Sequence, residues 1–301
     1  MKEVYTIEDL RDWPAATADC EHPLRLAVIG DPVAHSRSPQ MHNAALTALG
    51  LPLRYTRLHL RPAELEEGLG LLGPMEFLGV NCTIPHKSAV LAALPQADAI
   101  AHRAGGVNTV VVYPDGSLGG TSTDGGGFSR AVRECFGREL GELRVMILGA
   151  AGGAGRAVAM QCASAGCPGL MLINRSLEKL AALLDDLAEA YPTAHVAAGD
   201  FDEIFLKAGL KTSDLVVNCT SVGMKAGDSS PIPKKLLSSH HLLYDTIYVG
   251  HRTPLLAAGD AMGAHGANGH AMLLHQGALS FERWFHQPAP LEVMRQALAN
   301  A

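Results

Sequence analysis

Apolar runs of strand length alternate with amphipathic helical segments along most of the chain. In the first half, the pattern predicts strands at residues 24–29, 53–60, 77–83, 107–113 and 117–121. It predicts helices there at residues 39–49, 63–72, 86–94 and 97–104. Strands that alternate with helices are typical of an α/β fold whose sheets are mainly parallel.

The second half is more regular. The pattern predicts strands at residues 143–148, 170–173, 195–198, 215–218 and 242–246. It predicts one helix that follows the first of these strands and ends at about residue 165, and further helices at residues 177–190, 271–285 and 290–299. Residues 1–23 receive no element and are expected to be an interface arm or a disordered tail. A chain of 301 residues has room for about two domains.

Composition and charge exclude several classes of protein. The chain has 24 Lys and Arg against 30 Asp and Glu, a net charge of −6, which argues against nucleic-acid binding. No apolar run approaches the roughly 18 residues of a membrane span, and the first residues lack the apolar segment of a secretory signal, so we expect a cytoplasmic location. The cysteines form no Cys-x-x-Cys pair and the histidines no His-Glu-x-x-His, so we predict free thiols and no metal site.

A glycine-rich loop follows the predicted strand at 143–148 and precedes a predicted helix. Its residues are Gly149, Ala150, Ala151, Gly152, Gly153, Ala154 and Gly155. Glycines in this position allow close approach to a pyrophosphate, and the start of the helix offers free N–H groups and the positive end of its dipole. The loop therefore predicts a dinucleotide site, the alternative being a tight turn without a ligand.

The next predicted strand ends at the place where an NAD enzyme offers a carboxylate to the ribose 2′-hydroxyl. This chain has Asn174, Arg175 and Ser176 there, with Lys179 one helical turn further on. An arginine can donate two parallel hydrogen bonds to a 2′-phosphate. The segment predicts NADP rather than NAD as the cofactor, the alternative for Arg175 being a solvated loop charge.

Polar residues also collect in four places of the first half. Ser36 and Ser38 precede a predicted helix, where both hydroxyls can point at one small anion or one can simply cap the helix. Segments 81–87 and 106–109 and the loop 122–125 follow predicted strands or lie between them. Lys87 and Asp124 come from separate loops and form a candidate acid–base pair, although each taken alone is more typical of a surface charge.

Together these segments resemble the shikimate dehydrogenase family. The matching segments are residues 28–43 (VIGDPVAHSRSPQMHN), 81–87 (NCTIPHK), 106–109 (GVNT), 123–125 (TDG), 174–176 (NRS), 218–224 (NCTSVGM), 244–248 (YDTIY) and 253–256 (TPLL), and the residues Gly269, Met272, Leu273 and Gln276. They occur in family order. The glycine loop is one residue longer than the family's, and Ser122 stands where the family usually has Asn.

The resemblance implies two α/β domains with the active-site cleft between them. Residues 1–124 with 271–301 would form the substrate domain and residues 125–270 a doubly wound, Rossmann-type NADP domain. It implies reversible, NADP-dependent reduction of 3-dehydroshikimate to shikimate, a precursor of chorismate and the aromatic amino acids. The substrate would be a small molecule, and the protein a monomer or homodimer.

The resemblance also implies residue roles. Lys87 and Asp124 would be catalytic. The substrate would be held by Ser36, Ser38, Thr83, Asn108, Asp124, Tyr248 and Gln276. NADP would be held by the seven residues of the glycine loop and by Asn174, Arg175, Ser176, Lys179, Thr220 and Met272. Two other functions stay open: a quinate dehydrogenase, which Ser38 mildly disfavours, and a non-catalytic NADP-binding regulator, which the presence of both Lys87 and Asp124 disfavours.

Overall fold

The computed structural model describes residues 2–225, 227–248 and 250–300. The chain divides into two compact units. Unit 1 comprises the residues up to Thr123 together with those from Leu274 onward, and unit 2 comprises Asp124–Leu273. No helix within the described ranges is both long and apolar enough to cross a membrane.

The first part of unit 1 contains a strand or a helix at each position that the hydrophobic pattern marks, and several more. Its strands are β1 (Leu24–Gly30), β2 (Arg54–His59), β3 (Gly79–Cys82), β4 (Gln96–Ala97), β5 (Thr109–Val112) and β6 (Leu118–Thr121). Its helices are α1 (Ile7–Arg11), α2 (Trp13–Ala16), α3 (Ser38–Ala48), α4 (Leu65–Leu72), α5 (Lys87–Ala93) and α6 (Ala99–Ala104).

These strands form one mixed sheet in the order β2-β1-β3-β5-β6-β4. β1 is parallel to both β2 and β3, whereas β5 is antiparallel to β3 and to β6. The carboxyl ends of β1 and β3 therefore lie at the same edge of the sheet as the start of β5. Segments that are far apart in the sequence meet at this edge.

The N-terminal segment is not a disordered tail but part of the core of unit 1. Tyr5, Ile7, Leu10 and Trp13 are almost completely buried and belong to the hydrophobic core of unit 1. Tyr5 also pairs with β2, because its N–H donates to the carbonyl of Arg57 at 2.9 Å. The sequence reading missed this because the two helices, α1 and α2, are too short to show a helical period.

Unit 2 is a second sheet covered by helices. Its strands are β7 (Arg144–Leu148), β8 (Gly169–Ile173), β9 (Val196–Gly199), β10 (Leu215–Asn218), β11 (Leu242–Asp245) and β12 (His265–Asn268). Its helices are α7 (Asp124–Phe136), α8 (Gly153–Ser164), α9 (Leu177–Ala190), α10 (Glu203–Leu210) and α11 (Pro254–Asp260). Helix α12 (His270–Phe285) begins in unit 2 and belongs to unit 1 from Leu274 onward, as does α13 (Leu291–Ala299).

The unit 2 strands are all parallel and follow the order β12-β11-β10-β7-β8-β9. This is the doubly wound order of the Rossmann fold, in which the direction of winding reverses between the first and fourth strands, here β7 and β10. The predicted α/β class and the Rossmann-type half are confirmed. Ligands of such sheets bind outside the carboxyl ends of the strands at this reversal.

The main element that the pattern missed in unit 2 is α7, which was expected to begin as a polar loop. Its first turn contains Gly125, Gly126 and Gly127, and glycine has a low helix propensity. Packing explains one of these glycines, because a Cβ on Gly125 would lie 3.0 Å from the Cβ of Gln161 on α8. Helices α10 and α11 and strands β4 and β12 are also additions to the predicted set.

Helix α3 contains a buried histidine, His42, whose ring lies against Tyr55 of the unit 1 sheet. His42 has no exposed surface, and neither of its ring nitrogens has a hydrogen-bond partner within the described residues. Its ring stacks on Tyr55, with ring centroids 4.4 Å apart and planes 9° from parallel. Burial lowers the pKa of His42 from 6.5 to about 3, so the imidazole is neutral at pH 7.

This pKa predicts acid sensitivity of the fold. Between pH 6.5 and 3, His42 is protonated in the unfolded chain but not in the folded chain. The free energy of unfolding therefore decreases by about 1.4 kcal/mol for each unit by which the pH is lowered. His42→Phe removes this term, and the free energy of unfolding lost between pH 7 and pH 4 should shrink by about 3 kcal/mol. Urea unfolding at both pH values measures it. The exposed His102→Phe is the control, and an unchanged pH dependence in His42→Phe would contradict the assignment.

Candidate active site

The predicted substrate residues of unit 1 meet at one edge of its sheet. The loop after β1 contains Ser36 and leads to Ser38, and the segment after β3 contains Thr83 and Lys87. Asn108 immediately precedes β5, and its carbonyl accepts a hydrogen bond from the Cys82 N–H at 2.8 Å. The sheet thus joins three of the four polar segments that the sequence singles out.

The two serines are held in a defined geometry. Ser38 is the first residue of α3 and is only 6% exposed. The residue that caps this helix is Arg37, which makes no side-chain capping bond, so neither serine is the N-cap residue. Instead, the Ser36 hydroxyl accepts a hydrogen bond from the Ser38 N–H at 3.3 Å, which holds the Ser36 oxygen next to the start of α3.

Lys87 begins α5, next to the segment that leads to Asn108. Its carbonyl accepts a hydrogen bond from the Val107 N–H at 2.9 Å, and a Cβ on Gly106 would lie 3.0 Å from the Lys87 Cβ. A cation at the start of a helix is opposed by the helix dipole, so helix stability does not explain this lysine. Burial raises the pKa of the Cys82 thiol to about 12, and the charge of Lys87 partly opposes this rise.

Thr83 is fixed by its backbone and by a glycine. Its N–H donates to the Ile29 carbonyl at 2.9 Å, and its own carbonyl accepts from the His86 N–H at 2.9 Å. A Cβ on Gly30 would lie only 2.6 Å from the Thr83 Cγ2. A glycine at the end of β1 is therefore needed for Thr83 to lie where it does.

Asn108 and Gln276 are neighbours, although 168 positions separate them in the sequence. The Asn108 Nδ2 donates to the Gln276 Oε1 at 3.2 Å and to the Thr123 Oγ1 at 2.9 Å. The Asn108 Oδ1 accepts from the Thr123 N–H at 2.8 Å. The second half of α12 thus places one predicted substrate residue directly beside another.

Behind these side chains lies a set of buried hydrogen bonds that we call the Asn81 network. It consists of Ser38, Tyr55, Asn81, Asn108, Thr109, Thr123, Gln276 and Ser280. The Tyr55 hydroxyl donates to the Asn81 Oδ1 at 2.8 Å, and the Asn81 Nδ2 donates to the Asn108 carbonyl at 3.1 Å and to the Ser280 Oγ at 2.9 Å. The network connects the serine side of the edge to the Asn108–Gln276 side.

The sequence reading did not assign a role to Tyr55, Thr109 or Ser280. Tyr55 lies in a strand that reads as ordinary core, and Ser280 is a small polar residue on a helix. One signal was present in the sequence. Ser280 follows Gln276 by four positions, the spacing that puts two side chains on the same face of a helix.

Asp124 is the first residue of unit 2 and of helix α7. Its side chain is buried, being 6% exposed, and a carboxylate at the start of a helix is stabilised by the helix dipole. Lys87 belongs to unit 1. The pairing of the lysine with this carboxylate stays a prediction.

The glycine loop in unit 2 lies at the carboxyl end of β7, beside the loop that follows β10. Gly149 has a φ of +76°, and a Cβ there would lie 2.8 Å from the Thr220 Cγ2. The Gly152 N–H donates to the Gly149 carbonyl at 3.0 Å, closing a turn that accommodates Ala150 and Ala151. The longer loop is thus a compact turn, and helix α8 begins directly after it.

The residues of this loop divide into two groups. Ala150 is in the core of unit 2, and Gly155 is buried against the loop, since a Cβ there would lie 2.2 Å from the Gly149 carbonyl oxygen. In contrast, a Cβ on Gly153 meets no atom within 4 Å, and no side chain caps the start of α8. The open side of the turn, with the free N–H groups of a 12-residue helix, fits an incoming pyrophosphate.

The predicted 2′-phosphate residues lie at the carboxyl end of β8, and two of them also support the loops. The Asn174 Oδ1 accepts from the Ala151 N–H at 3.3 Å, and its Nδ2 donates to the Ser176 carbonyl at 2.9 Å. Ser176 caps α9 by accepting from the Lys179 N–H at 3.4 Å. Arg175 and Lys179 are exposed, and no ion pair to either occurs within the described ranges.

The remaining predicted residues are spread over unit 2. Thr220 donates its hydroxyl to the Asn218 Oδ1 at 2.7 Å, at the carboxyl end of β10. Met272 is packed in the core, and its N–H donates to the Tyr244 hydroxyl at 3.0 Å, so its observed role is packing. Tyr248 is partly exposed, with its ring 6.0 Å from that of His270.

A buried carboxylate holds the loops after β10 and β11 together. Asp245 has no exposed surface, and its Oδ1 accepts from the Asn218 Nδ2 at 3.0 Å. Its Oδ2 accepts from the Thr253 hydroxyl at 2.6 Å. Burial raises the pKa of Asp245, and these hydrogen bonds oppose the rise. The position of Thr220 thus depends on a polar cluster that lies below it.

Comparison with known proteins agrees with this geometry. Residues 28–110 match the family described as "Shikimate dehydrogenase substrate binding domain", and residues 269–299 match "Shikimate 5'-dehydrogenase C-terminal domain". The shikimate dehydrogenase (NADP(+)) of Symbiobacterium thermophilum is 41% identical over 92% of this chain and 94% of its own. The chain belongs to the shikimate dehydrogenase family.

Solved structures of this family superpose well. Shikimate 5-dehydrogenase from Thermus thermophilus, in complex with NADP(H) and shikimate, is 34% identical with a TM-score of 0.81 and covers 92% of this chain and 99% of its own. Quinate dehydrogenase from Corynebacterium glutamicum, in complex with NAD, is 29% identical with a TM-score of 0.84, and the match covers 93% of this chain and 100% of that enzyme's chain. The fold is therefore shared by members that differ in substrate.

The two groups of loop glycines predict opposite responses to the same change. Gly155→Ala forces the new methyl group into the Gly149 carbonyl and should lower the stability of unit 2 by about 1–3 kcal/mol. Gly153→Ala has open space and a compatible helical backbone, so it should leave stability unchanged or raise it by about 0.4–1 kcal/mol. Thermal unfolding of both variants tests the pair, and equal midpoints would contradict it.

Proposed function

We propose that this protein is an NADP-dependent shikimate dehydrogenase, which reversibly reduces 3-dehydroshikimate to shikimate. The observation that carries the proposal is the polar edge of unit 1, where the Asn81 network joins Ser38, Asn108 and Gln276. Lys87 lies beside them, since its carbonyl accepts from the N–H of Val107, next to Asn108. The curated relative of 41% identity has this activity in its name, which supports the same reaction here.

Unit 1 is the proposed substrate side. The hydroxyls of Ser36 and Ser38 bind the substrate carboxylate, with Tyr248 as a further donor. The ring hydroxyls are bound by Thr83, Asn108, Asp124 and Gln276. The Asn108 Nδ2 and the Gln276 Oε1 are hydrogen-bonded at 3.2 Å, so a substrate hydroxyl that displaces this bond can accept from Asn108 and donate to Gln276.

Unit 2 is the proposed cofactor side. The open turn of the glycine loop and the start of α8 hold the pyrophosphate, with Thr220 on the neighbouring loop. Asn174, Arg175, Ser176 and Lys179 surround the 2′-phosphate, and Met272 supports the nicotinamide side. When bound, NADP supplies the nicotinamide carbon that donates or accepts the hydride.

Lys87 is the proposed general acid and base, which donates or accepts the proton of the reaction. Reduction of the ketone adds a hydride to the carbonyl carbon and a proton to its oxygen, and we assign this proton to the Lys87 ammonium group. Asp124 is the proposed carboxylate that orients the lysine and binds the same hydroxyl. In the reverse direction the neutral Lys87 amine takes the proton from the substrate hydroxyl as the hydride leaves.

Shikimate is favoured over quinate as the substrate. Quinate carries an additional hydroxyl on the carbon that bears its carboxylate, and the Ser38 side chain occupies space that a glycine would leave open at this position. The Ser38 side chain is also buried and hydrogen-bonded to Tyr55, so it has little freedom to move aside. Turnover measured with shikimate and with quinate, each with NADP and with NAD, tests substrate and cofactor together.

Removal of the proposed acid–base group should stop the reaction without preventing binding. Lys87→Ala is expected to lower kcat by roughly 10²–10⁴, the range typical of a general acid or base, with a smaller change in KM. Steady-state kinetics with shikimate and NADP provide the measurement. NADP binding and the thermal midpoint serve as controls for folding, and a kcat near that of the original protein would refute the role of Lys87.

The cofactor preference is expected to depend on Arg175. One or two hydrogen bonds to a 2′-phosphate, at about 1.5–3 kcal/mol each, convert to roughly 10- to 10³-fold in kcat/KM. Arg175→Ala should remove most of the preference for NADP over NAD while changing turnover with NAD less than about twofold.

Lys211→Ala is the matched control for this change. Lys211 is also an exposed cation of unit 2, but it follows α10 and so lies near the start of β10, at the opposite edge of the sheet from Arg175. It should alter neither cofactor's kcat/KM. Equal kcat/KM for NADP and NAD in the original protein would contradict the assignment of the 2′-phosphate site.

A further inference from the structure

The edge strand β2 contacts the loop that carries the two serines at three points. We call residues 31–38 the serine loop. Tyr55, Arg57 and His59 are alternate residues of β2, and alternate side chains of a strand point to the same face. Tyr55 accepts a hydrogen bond from Ser38, Arg57 binds the carbonyl of Ser36, and the His59 Nε2 lies 2.8 Å from the Asp31 Oδ1. The loop is thus held at its beginning, near its middle and at its end.

Tyr55 is itself fixed by the helix that Ser38 begins. The Asn43 Nδ2 donates to the Tyr55 carbonyl at 2.9 Å, and the Asn43 Oδ1 accepts from the Tyr55 N–H at 2.8 Å. His42 stacks on the phenol ring. Since Ser38, His42 and Asn43 belong to the same helix, these contacts fix the distance between the Ser38 hydroxyl and the Tyr55 hydroxyl.

The Tyr55 phenol is neutral and has two polar partners, Ser38 and Asn81. It is completely buried, and burial raises its pKa well above the usual value, while the hydrogen bond from Ser38 and the charge of Arg57 oppose the rise. Its proton goes to the Asn81 Oδ1 at 2.8 Å. In this structure the Ser38 hydroxyl donates to Tyr55. When Ser38 turns this hydrogen to an anion, the Tyr55 hydroxyl can turn its own hydrogen from Asn81 to the Ser38 oxygen, so the Ser38 oxygen keeps a hydrogen bond to Tyr55 in both states.

Arg57 holds the backbone of the same loop and adds a positive charge. Its Nε and Nη2 both donate to the Ser36 carbonyl, at 3.0 and 2.7 Å. A planar guanidinium group can make this pair of bonds, whereas the ammonium group of a lysine cannot reproduce its geometry. These two bonds place the Arg57 charge against the backbone of Ser36 itself.

We propose that Tyr55 and Arg57 are positioning residues that hold Ser36 and Ser38 ready for the carboxylate of the substrate, without touching the substrate themselves. This inference rests on the proposed function. It adds the reason why two hydroxyls on a loop can bind an anion specifically. Their oxygens are already fixed before binding, so less conformational freedom is lost when the anion arrives.

Calorimetric titration of the full chain with shikimate tests the proposal without turnover. Tyr55→Phe and Arg57→Lys should each raise the Kd for shikimate roughly tenfold, equivalent to about 1.4 kcal/mol. In steady-state assays, KM for shikimate should rise similarly, while kcat changes less than about threefold and the Kd for NADP stays the same. Should Tyr55→Phe not fold, Arg57→Lys provides the same test, since Arg57 is only half-buried.

Two matched controls separate positioning from a general loss of stability. Tyr5 is also a buried tyrosine of unit 1, and Arg25 also donates to a loop carbonyl, that of Met75 at 2.8 Å. Tyr5→Phe and Arg25→Lys should leave the Kd for shikimate unchanged. Equal losses in the controls, or no loss in Tyr55→Phe and Arg57→Lys, would overturn the proposal.

A double-mutant cycle tests whether Tyr55 acts through Ser38. Ser38→Ala should weaken shikimate binding, and Tyr55→Phe added to it should cost less than about a further twofold, because the link is already broken. Additive losses would show that Tyr55 acts independently of Ser38, which contradicts the proposal. If the original protein itself fails to bind shikimate, the proposed function is wrong, and this inference falls with it.

Discussion

The arrangement of the candidate active site depends on the Asn81 network. A buried amide or hydroxyl without a hydrogen-bond partner lowers the stability of the fold by about 1–3 kcal/mol, so each side chain of the Asn81 network has few alternative positions. Asn81 lies at the centre, bonded to Tyr55 on one side and to Asn108 and Ser280 on the other. Ser38 and Gln276, at opposite ends of the network and on different helices, are thus fixed relative to one another by polar contacts as well as by apolar packing.

In unit 2 the loops at the candidate cofactor site are fixed in position by glycines, which have no side chain. Gly149 and Gly155 allow backbone segments to approach more closely than any Cβ would permit, and this brings the loops after β7 and β10 together. The surface that we propose for the pyrophosphate is formed by backbone N–H groups, which have no side-chain rotamers to change. Arg175 and Lys179, which we propose for the 2′-phosphate, are exposed.

Much of this could be predicted from the sequence, because the predicted strands and glycine loop follow from local patterns. The short helices α1 and α2 could not, since their apolar residues are buried by contacts with distant parts of unit 1. Helix α7 was missed because the three glycines of its first turn lower its helix propensity, although one of them, Gly125, packs against Gln161 of α8. The predicted site residues of unit 1 came from motifs, whereas Tyr55 and Ser280 act on those residues from outside the motifs and are visible only once the strands are paired.

The strand β2 shows why residues that hold a site in position are hard to predict from the sequence alone. In an α/β sheet both faces are buried, so a strand normally shows no alternation of polar and apolar residues. Here Thr56 and Leu58 are buried, while Tyr55, Arg57 and His59 each make a polar contact with the serine loop. Of these three side chains Tyr55 is buried and Arg57 and His59 are half-buried, so water alone does not satisfy their polar groups. The pattern therefore points to a polar partner across the sheet, and in this fold the partner is the loop that begins the site.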